Sequence, residues 1–183
     1  MIPMLVISSI LLWVVVLINV LLTVALIRRL NQMSSMAFPD DEGLAKGTPA
    51  PDFTAETLAG EIVTLAHYAH KAVSFIFISP TCGPCVDKLP AMNDLATKAK
   101  QAGVELVLVS TDGEKADITT LVQKHEVTVP LLYAPLEQNA FARDYKAEST
   151  PFYCQLNPDG SVESSGFFGP GWEQQVTRAP SLT

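Results

Sequence analysis

Two apolar runs on either side of a helix-like segment constrain the fold of this chain more than any other feature. Ala72–Ile78 and Val104–Ser110 are rich in β-branched and aromatic side chains, as expected of strands buried on both faces. Between them, residues 86–100 carry apolar side chains at helical spacing, and Gly103 ends this helix. The order strand, helix, strand predicts a βαβ unit with two parallel strands in a covered sheet.

The segment Ser79-Pro80-Thr81-Cys82-Gly83-Pro84-Cys85 lies where the first strand meets the helix. A helix N-terminus carries partial positive charge and unpaired N–H groups, which favour a thiolate at Cys82. Gly83 and Pro84 turn the chain so that the sulfur of Cys85 can reach that of Cys82. The spacing therefore predicts dithiol–disulfide exchange.

The N-terminal region is predicted to be a membrane anchor. No charged side chain occurs before Arg28, and residues 5–27 are nearly all Leu, Val and Ile. As a helix at ~1.5 Å per residue, this run would cover roughly 34 Å, enough to cross a hydrocarbon core of ~30 Å. A cleaved signal peptide is the alternative, with Ser35-Met36-Ala37 as its cleavage site. That alternative is disfavoured because signal h-regions have about 7–15 residues behind a basic segment.

The remaining chain is predicted to be one acidic domain on a tether. We expect the anchor over residues 1–30, the tether over 31–46 and the folded domain over 47–183. The chain has 12 Lys and Arg against 19 Asp and Glu, and every acidic residue lies from Asp40 onward. An acidic surface disfavours nucleic acid as a partner, because phosphates need basic groups.

The second half of the chain is predicted to add short elements to the βαβ unit. Residues 58–65 form a turn and a short strand ahead of it, and 157–160 form a hairpin turn. Helices are expected at residues 115–124, 139–145 and 172–178, and strands or extended segments at 127–133, 150–156 and 161–168.

With Thr150-Pro151 ahead of a late strand and the hairpin Asn157-Pro158-Asp159-Gly160, the chain resembles the thioredoxin fold, an α/β fold with a central mixed sheet flanked by helices. The lead-in over residues 47–53 and an extra βα insertion over 104–124 resemble the membrane-anchored, extracytoplasmic TlpA/ResA-type branch. Within it, Ser79-Pro80-Thr81-Cys82 behind an anchor ending in arginine is similar to the MauD group, accessory proteins in methylamine dehydrogenase maturation.

The resemblance implies roles for individual residues. Cys82 would be the exposed attacking thiolate and Cys85 the buried resolving thiol. Pro151 would be a cis-proline against the disulfide, and Thr150 would offer backbone hydrogen bonds to a bound partner. Thr81, Gly83 and Pro84 would support the site, and Pro90 would kink the active-site helix.

The chain also departs from the family pattern around the cysteines. Thioredoxins have Trp where Thr81 stands and a buried Asp where Ile76 stands, and ResA-like proteins have Glu where Lys88 stands. MauD proteins have another dipeptide in place of Gly83-Pro84. Asp87 and Lys88 are the candidates for tuning the thiols, either by proton transfer or by charge, although both are typical of a solvated helix face.

Several alternatives stay open at this point. The cysteine pair could bind a metal or a haem precursor in a chaperone, support a peroxiredoxin-like peroxidase, or merely staple a loop. Cys154 is either a buried, inert thiol or a third redox partner. The three histidines are interpreted as surface residues, not metal ligands: His67, His70 and His125.

The resulting hypothesis is a tethered oxidoreductase without a cofactor other than its disulfide. Gly83-Pro84 is the thioredoxin dipeptide and favours a reductase or isomerase over an oxidant. The expected partners are a protein disulfide client and an upstream membrane electron donor or acceptor. The client would be a methylamine dehydrogenase subunit or, in a ResA-like role, apocytochrome c. We expect a single pass through the bacterial cytoplasmic membrane with the domain outside, although Arg28 and Arg29 oppose this orientation.

Overall fold

A computed structural model of the chain describes residues 11–23 and 43–179. The chain divides into two compact units, Met1–Pro39 and Asp40–Thr183. In the first unit, residues 11–23 form a helix in which every residue is exposed. Among the described residues, no helix is both long and apolar enough to cross a membrane. The predicted anchor, residues 5–27, is described only over residues 11–23, and its remaining residues lie outside the described part of the chain.

The second unit is a seven-stranded mixed sheet covered by helices, in the strand order β2-β1-β5-β4-β3-β6-β7. The strands are β1 Thr54–Thr57, β2 Ile62–Thr64, β3 Ala72–Ile78, β4 Val104–Ser110, β5 Leu131–Tyr133, β6 Phe152–Leu156 and β7 Val162–Phe167. The helices are α1 Gly83–Lys88, α2 Met92–Gln101, α3 Lys115–Lys124, α4 Phe141–Asp144 and α5 Trp172–Val176, with 3-10 turns at Leu65–Tyr68 and Leu89–Ala91.

Strand β3 lies at the centre of the structure. It pairs in parallel with β4, from Ala72 opposite Val104 to Ile78 opposite Ser110. On its other side it pairs antiparallel with β6, and every residue of β3 is buried. The predicted βαβ unit and its parallel pair are therefore confirmed.

Alternate residues of β3 enter two separate cores, because successive side chains of a strand point to opposite faces. Ile76 belongs to the core that contains Cys85 and the first helices. Phe75 belongs to an aromatic core on the other face, where Phe53 stacks on Phe141 at a centroid distance of 3.8 Å. Burial of these rings supplies much of the hydrophobic stabilisation on that face.

Two elements differ from the sequence predictions. The helix predicted to run to about Lys100 is divided into two α-helices at Leu89–Ala91, because Pro90 has no backbone N–H and its ring crowds the preceding turn. The kink that the family resemblance implied at Pro90 is thus confirmed. Strand β1 was not predicted, since its sequence Thr-Ala-Glu-Thr has only one apolar side chain, that of Ala55.

Candidate functional site

Cys82 and Cys85 form a disulfide just beyond the end of β3, with their Cα atoms 5.2 Å apart. Cys82 is half-buried, whereas Cys85 is only 1% exposed. Cys82 is the N-cap of α1, and the backbone N–H of Cys85 donates to Cys82 Sγ at 3.3 Å. After reduction, this N–H donor would stabilise a thiolate at Cys82. The pair therefore has one reachable sulfur and one covered sulfur.

The predicted supporting residues surround the disulfide. Gly83 and Pro84 are exposed in the first turn of α1, where proline is tolerated because its missing N–H has no helical partner. The Thr150–Pro151 peptide bond is cis, and the carbonyl oxygen of Thr150 lies 3.6 Å from Cys82 Sγ. The structure thus brings this loop to the attacking cysteine, and the functional roles of its residues stay predictions.

The surroundings of Cys85 are apolar. It shares a buried cluster with Ile76, Leu89 and Tyr153. Ile76 is fully buried at the position where the resemblance would place an aspartate. Apolar packing favours the neutral thiol over the thiolate, and this suits a residue that acts second in an exchange reaction.

Asp87 and Lys88 lie on the solvent side of α1, and both are exposed. The amino group of Lys88 lies 3.2 Å from Glu173 Oε1 in α5, so the lysine is paired across the surface. An exposed pair of this kind contributes little to stability. The proposed tuning of the thiols by Asp87 or Lys88 stays a prediction.

Cys154 is a free thiol in β6 and is fully buried. Its neighbour across the strands is Phe75, and it belongs to the aromatic core, not to the cluster that holds Cys85. Burial raises the pKa of the Cys154 thiol far above its ordinary value. This placement supports the inert thiol and argues against a third redox partner.

Sequence reasoning missed one acidic residue beside the site, Asp112. Its carboxylate Oδ2 lies 3.2 Å from Thr81 Oγ1 and 3.2 Å from Ser79 Oγ. A signal was present, because β3 and β4 are parallel neighbours whose carboxyl ends meet at one edge of the sheet. Ser79 follows the first of these strands and Asp112 follows the second.

A groove of about 720 Å³ adjoins the disulfide through Ser79 and Thr150. Its wall includes five acidic residues: Asp112, Glu114, Asp117, Glu137 and Glu148. Neither cysteine lines the groove, and Thr150 connects it to the site because its carbonyl oxygen lies 3.6 Å from Cys82 Sγ.

Two of the histidines, His67 and His70, are exposed, whereas His125 is half-buried and its Nε2 atom is buried without a hydrogen-bond partner among the described residues. The Nδ1 atom of His67 accepts a hydrogen bond from the backbone N–H of Thr64 at 3.0 Å, and His125 follows the last residue of α3. Throughout residues 11–23 and 43–179, no three or more His, Cys, Asp or Glu side chains are grouped to hold a metal ion.

The structure has a mixed sheet, a disulfide that caps a helix, and a cis-proline loop beside that disulfide. Together these features define the class of thioredoxin-like proteins with a redox-active cysteine pair. Residues 46–165 match the AhpC/TSA family, and the chain belongs to this family. It is 31% identical over 122 residues to the thiol-disulfide oxidoreductase ResA of Oceanobacillus iheyensis, covering 64% of this chain and 62% of the relative. It is 30% identical to ResA of Bacillus cereus, covering 68% of this chain and 71% of the relative.

A solved structure agrees with these relatives. The thiol:disulfide interchange protein DsbE of Chlorobium tepidum is 26% identical, with a TM-score of 0.63 over 73% of this chain and 93% of that protein. The chain is accordingly a thioredoxin-like thiol-disulfide oxidoreductase of the ResA/DsbE type. The sequence predicted a thiol-disulfide oxidoreductase of the TlpA/ResA type, and its closer similarity to the MauD group stays a prediction.

Proposed function

We propose that this chain is a membrane-tethered oxidoreductase that reduces or isomerises disulfides of an exported protein through Cys82 and Cys85. The observation that carries the proposal is the asymmetry of the pair, with a half-exposed Cys82 and a buried Cys85. Only a sulfur that a partner can reach starts an exchange, and only a neighbouring thiol can end it quickly.

The proposed cycle transfers two electrons to the client. The Cys82 thiolate attacks one sulfur of the client disulfide, so that a mixed disulfide forms and the second client sulfur leaves as a thiolate. The Cys85 thiolate then attacks Cys82 Sγ, which closes the intramolecular disulfide and releases the first client sulfur. An upstream membrane electron donor must then reduce the pair, because the cycle ends with an oxidised enzyme.

The proposed client is a disulfide-containing exported protein. The MauD-like residues before Cys82 favour a subunit of methylamine dehydrogenase, and the similarity to ResA favours apocytochrome c. The test is a Cys85→Ser variant of the full chain, which should stay attached to its client because the resolving thiol is gone. Mass spectrometry should find the client joined to Cys82, and a Cys82→Ser variant is the control. Recovery of no protein adduct at Cys82 would contradict the proposal.

The proposed location is the outer face of the bacterial cytoplasmic membrane, with residues 5–27 as the anchor. In support, the helix over residues 11–23 exposes its apolar side chains, and tethered oxidoreductases are most useful where disulfides persist. An alkaline phosphatase fusion after Lys46 should be active in intact cells. An inactive fusion would place the domain in the cytoplasm, as Arg28 and Arg29 would favour.

A further inference from the structure

The carboxylate of Asp112 is held beside the residue that precedes the attacking cysteine. Thr81 Oγ1 and Ser79 Oγ each lie 3.2 Å from Asp112 Oδ2, and each hydroxyl can donate to it. The two hydroxyl oxygens are 2.8 Å apart. Charge-assisted hydrogen bonds of this kind are stronger than neutral ones, so the carboxylate ties the two hydroxyls together.

The loop that carries Asp112 is fixed by contacts of its own. Asp112 Oδ1 accepts from the backbone N–H of Gly113 at 2.7 Å, and Ser110 Oγ donates to the carbonyl oxygen of Asp112 at 3.0 Å. The hydroxyl of Tyr133 donates to the carbonyl oxygen of Gly113 at 3.0 Å. Gly113 also approaches Pro80 so closely that an added Cβ would lie 2.6 Å from Pro80 Cγ. The carboxylate is therefore a fixed group against the turn at Ser79–Cys82.

The same turn is joined to Cys82 by backbone hydrogen bonds. The N–H of Thr81 donates to Ser79 Oγ at 3.2 Å, and the N–H of Cys82 donates to the carbonyl oxygen of Ser79 at 3.2 Å. A continuous set of contacts thus connects the Asp112 carboxylate to the backbone that presents the Cys82 sulfur.

We propose that Asp112 is a positioning residue that also sets the reducing strength of the cysteine pair, an inference that depends on the exchange function proposed above. It fixes the turn before Cys82 through the two hydroxyls, and its negative charge disfavours the Cys82 thiolate. Because the thiolate exists only in the reduced state, the charge makes the pair a stronger reductant.

Other charges face the same region and set the background for this effect. The groove adds Glu114, Asp117, Glu137 and Glu148, and α1 adds Asp87 and the paired Lys88. Among the groove carboxylates, that of Asp112 is tied to the residue adjacent to Cys82, and Coulomb effects decrease with distance. Removing the charge of Asp112 should therefore change the redox equilibrium of the cysteine pair more than removing the charge of Glu137 does.

The test compares the variants Asp112→Asn and Glu137→Gln of the full chain in detergent. In each, the ratio of dithiol to disulfide at the cysteine pair is measured at equilibrium with reduced and oxidised glutathione. Two pH units above the measured midpoint of Cys82 alkylation, Asp112→Asn should shift the equilibrium about threefold toward the dithiol, which corresponds to about 14 mV. Two pH units below that midpoint the change should be less than about 1.5-fold, because an uncharged thiol has little Coulomb interaction with the carboxylate. The midpoint of the pH profile for alkylation of Cys82 should fall by about half a unit.

Two outcomes would overturn the inference: an Asp112→Asn equilibrium equal to that of Glu137→Gln above the alkylation midpoint, or an equal change above and below the midpoint, which indicates a merely structural role. If Asp112→Asn does not fold, Asp112→Ser replaces it, because a serine hydroxyl can also accept from the N–H of the turn. A wild-type pair that never equilibrates with glutathione would instead refute the proposed exchange function.

Discussion

Cys154 shows how burial separates an inert thiol from the reactive pair. It lies in the aromatic core, where burial raises its pKa, so at pH 8 it has almost no thiolate. We expect Cys154→Ala to keep the wild-type rate of client reduction, because no sulfur of the pair depends on it. Alkylation of the native, reduced chain followed by mass spectrometry should label Cys82 and leave Cys154 free. Loss of turnover in Cys154→Ala, with an unchanged Tm, would contradict this assignment.

Burial raises the pKa values of three tyrosines, Tyr68, Tyr145 and Tyr153, and these groups should make the domain less stable at alkaline pH. Burial raises the pKa of Tyr68 to about 12 and raises that of Tyr145 well above its ordinary value. The folded state then keeps protons that the unfolded chain releases near pH 10. This stability is complete below about pH 10 and is lost as the pH rises from there through the folded-state pKa values.

Urea denaturation of the full chain in detergent should therefore give an unfolding free energy that falls between pH 9 and pH 11. Tyr145→Phe should make this fall shallower, because one of the contributing groups no longer titrates. If the unfolding free energy falls equally steeply with pH in Tyr145→Phe and the wild type, the proposed effect of Tyr145 ionisation on stability is refuted.

At the residue scale, the sequence predicted the cysteines well and their acidic neighbour not at all. Cys82 and Cys85 are local in sequence, so a strand followed by a helix was enough to place them together. Asp112 is 31 residues from Thr81, and its approach depends on which strand pairs with β3. That pairing was predicted, but the direction of the side chain also depends on Gly113, whose positive φ turns the loop toward Pro80.

At the element scale, the loop between β4 and α3 should be sensitive to a single methyl group. Gly113 has φ +83°, and a Cβ there would lie 2.6 Å from Pro80 Cγ. We expect Gly113→Ala to lose about 1–3 kcal/mol of unfolding free energy, from backbone strain and the clash with the proline ring. Urea denaturation measures this loss.

Gly160→Ala is the matched control, because Gly160 has nearly the same φ, +82°, with nothing within 4 Å of an added Cβ. It should lose only the cost of backbone strain, about 1 kcal/mol or less. Equal losses in the two variants would show that the contact with Pro80 does not constrain the loop.

Strands with a clear apolar sequence pattern were predictable, whereas a strand defined by the strands it pairs with was not. Ala72–Ile78 and Val104–Ser110 were recognised because strands buried on both faces are almost continuously apolar. Thr54–Thr57 is a strand because it lies between β2 and β5, a fact that its own residues do not encode.

At the scale of the whole molecule, the proposed tether predicts how the chain fractionates. With residues 5–27 inserted as a helix, the full chain should stay in the membrane pellet after extraction with alkaline carbonate. A variant lacking residues 5–27 should move to the soluble fraction, because the acidic remainder has no comparable apolar run. Release of the full chain by carbonate would contradict a spanning anchor.

The central claim is that Cys82 and Cys85 exchange disulfides with a protein substrate. The most direct measurement is the rate at which the full chain, fed by dithiothreitol in detergent, reduces insulin disulfides. We predict a rate clearly above that of dithiothreitol alone, which is lost in both Cys82→Ala and Cys85→Ala and kept in Cys154→Ala. A wild-type rate equal to that of Cys82→Ala would contradict it.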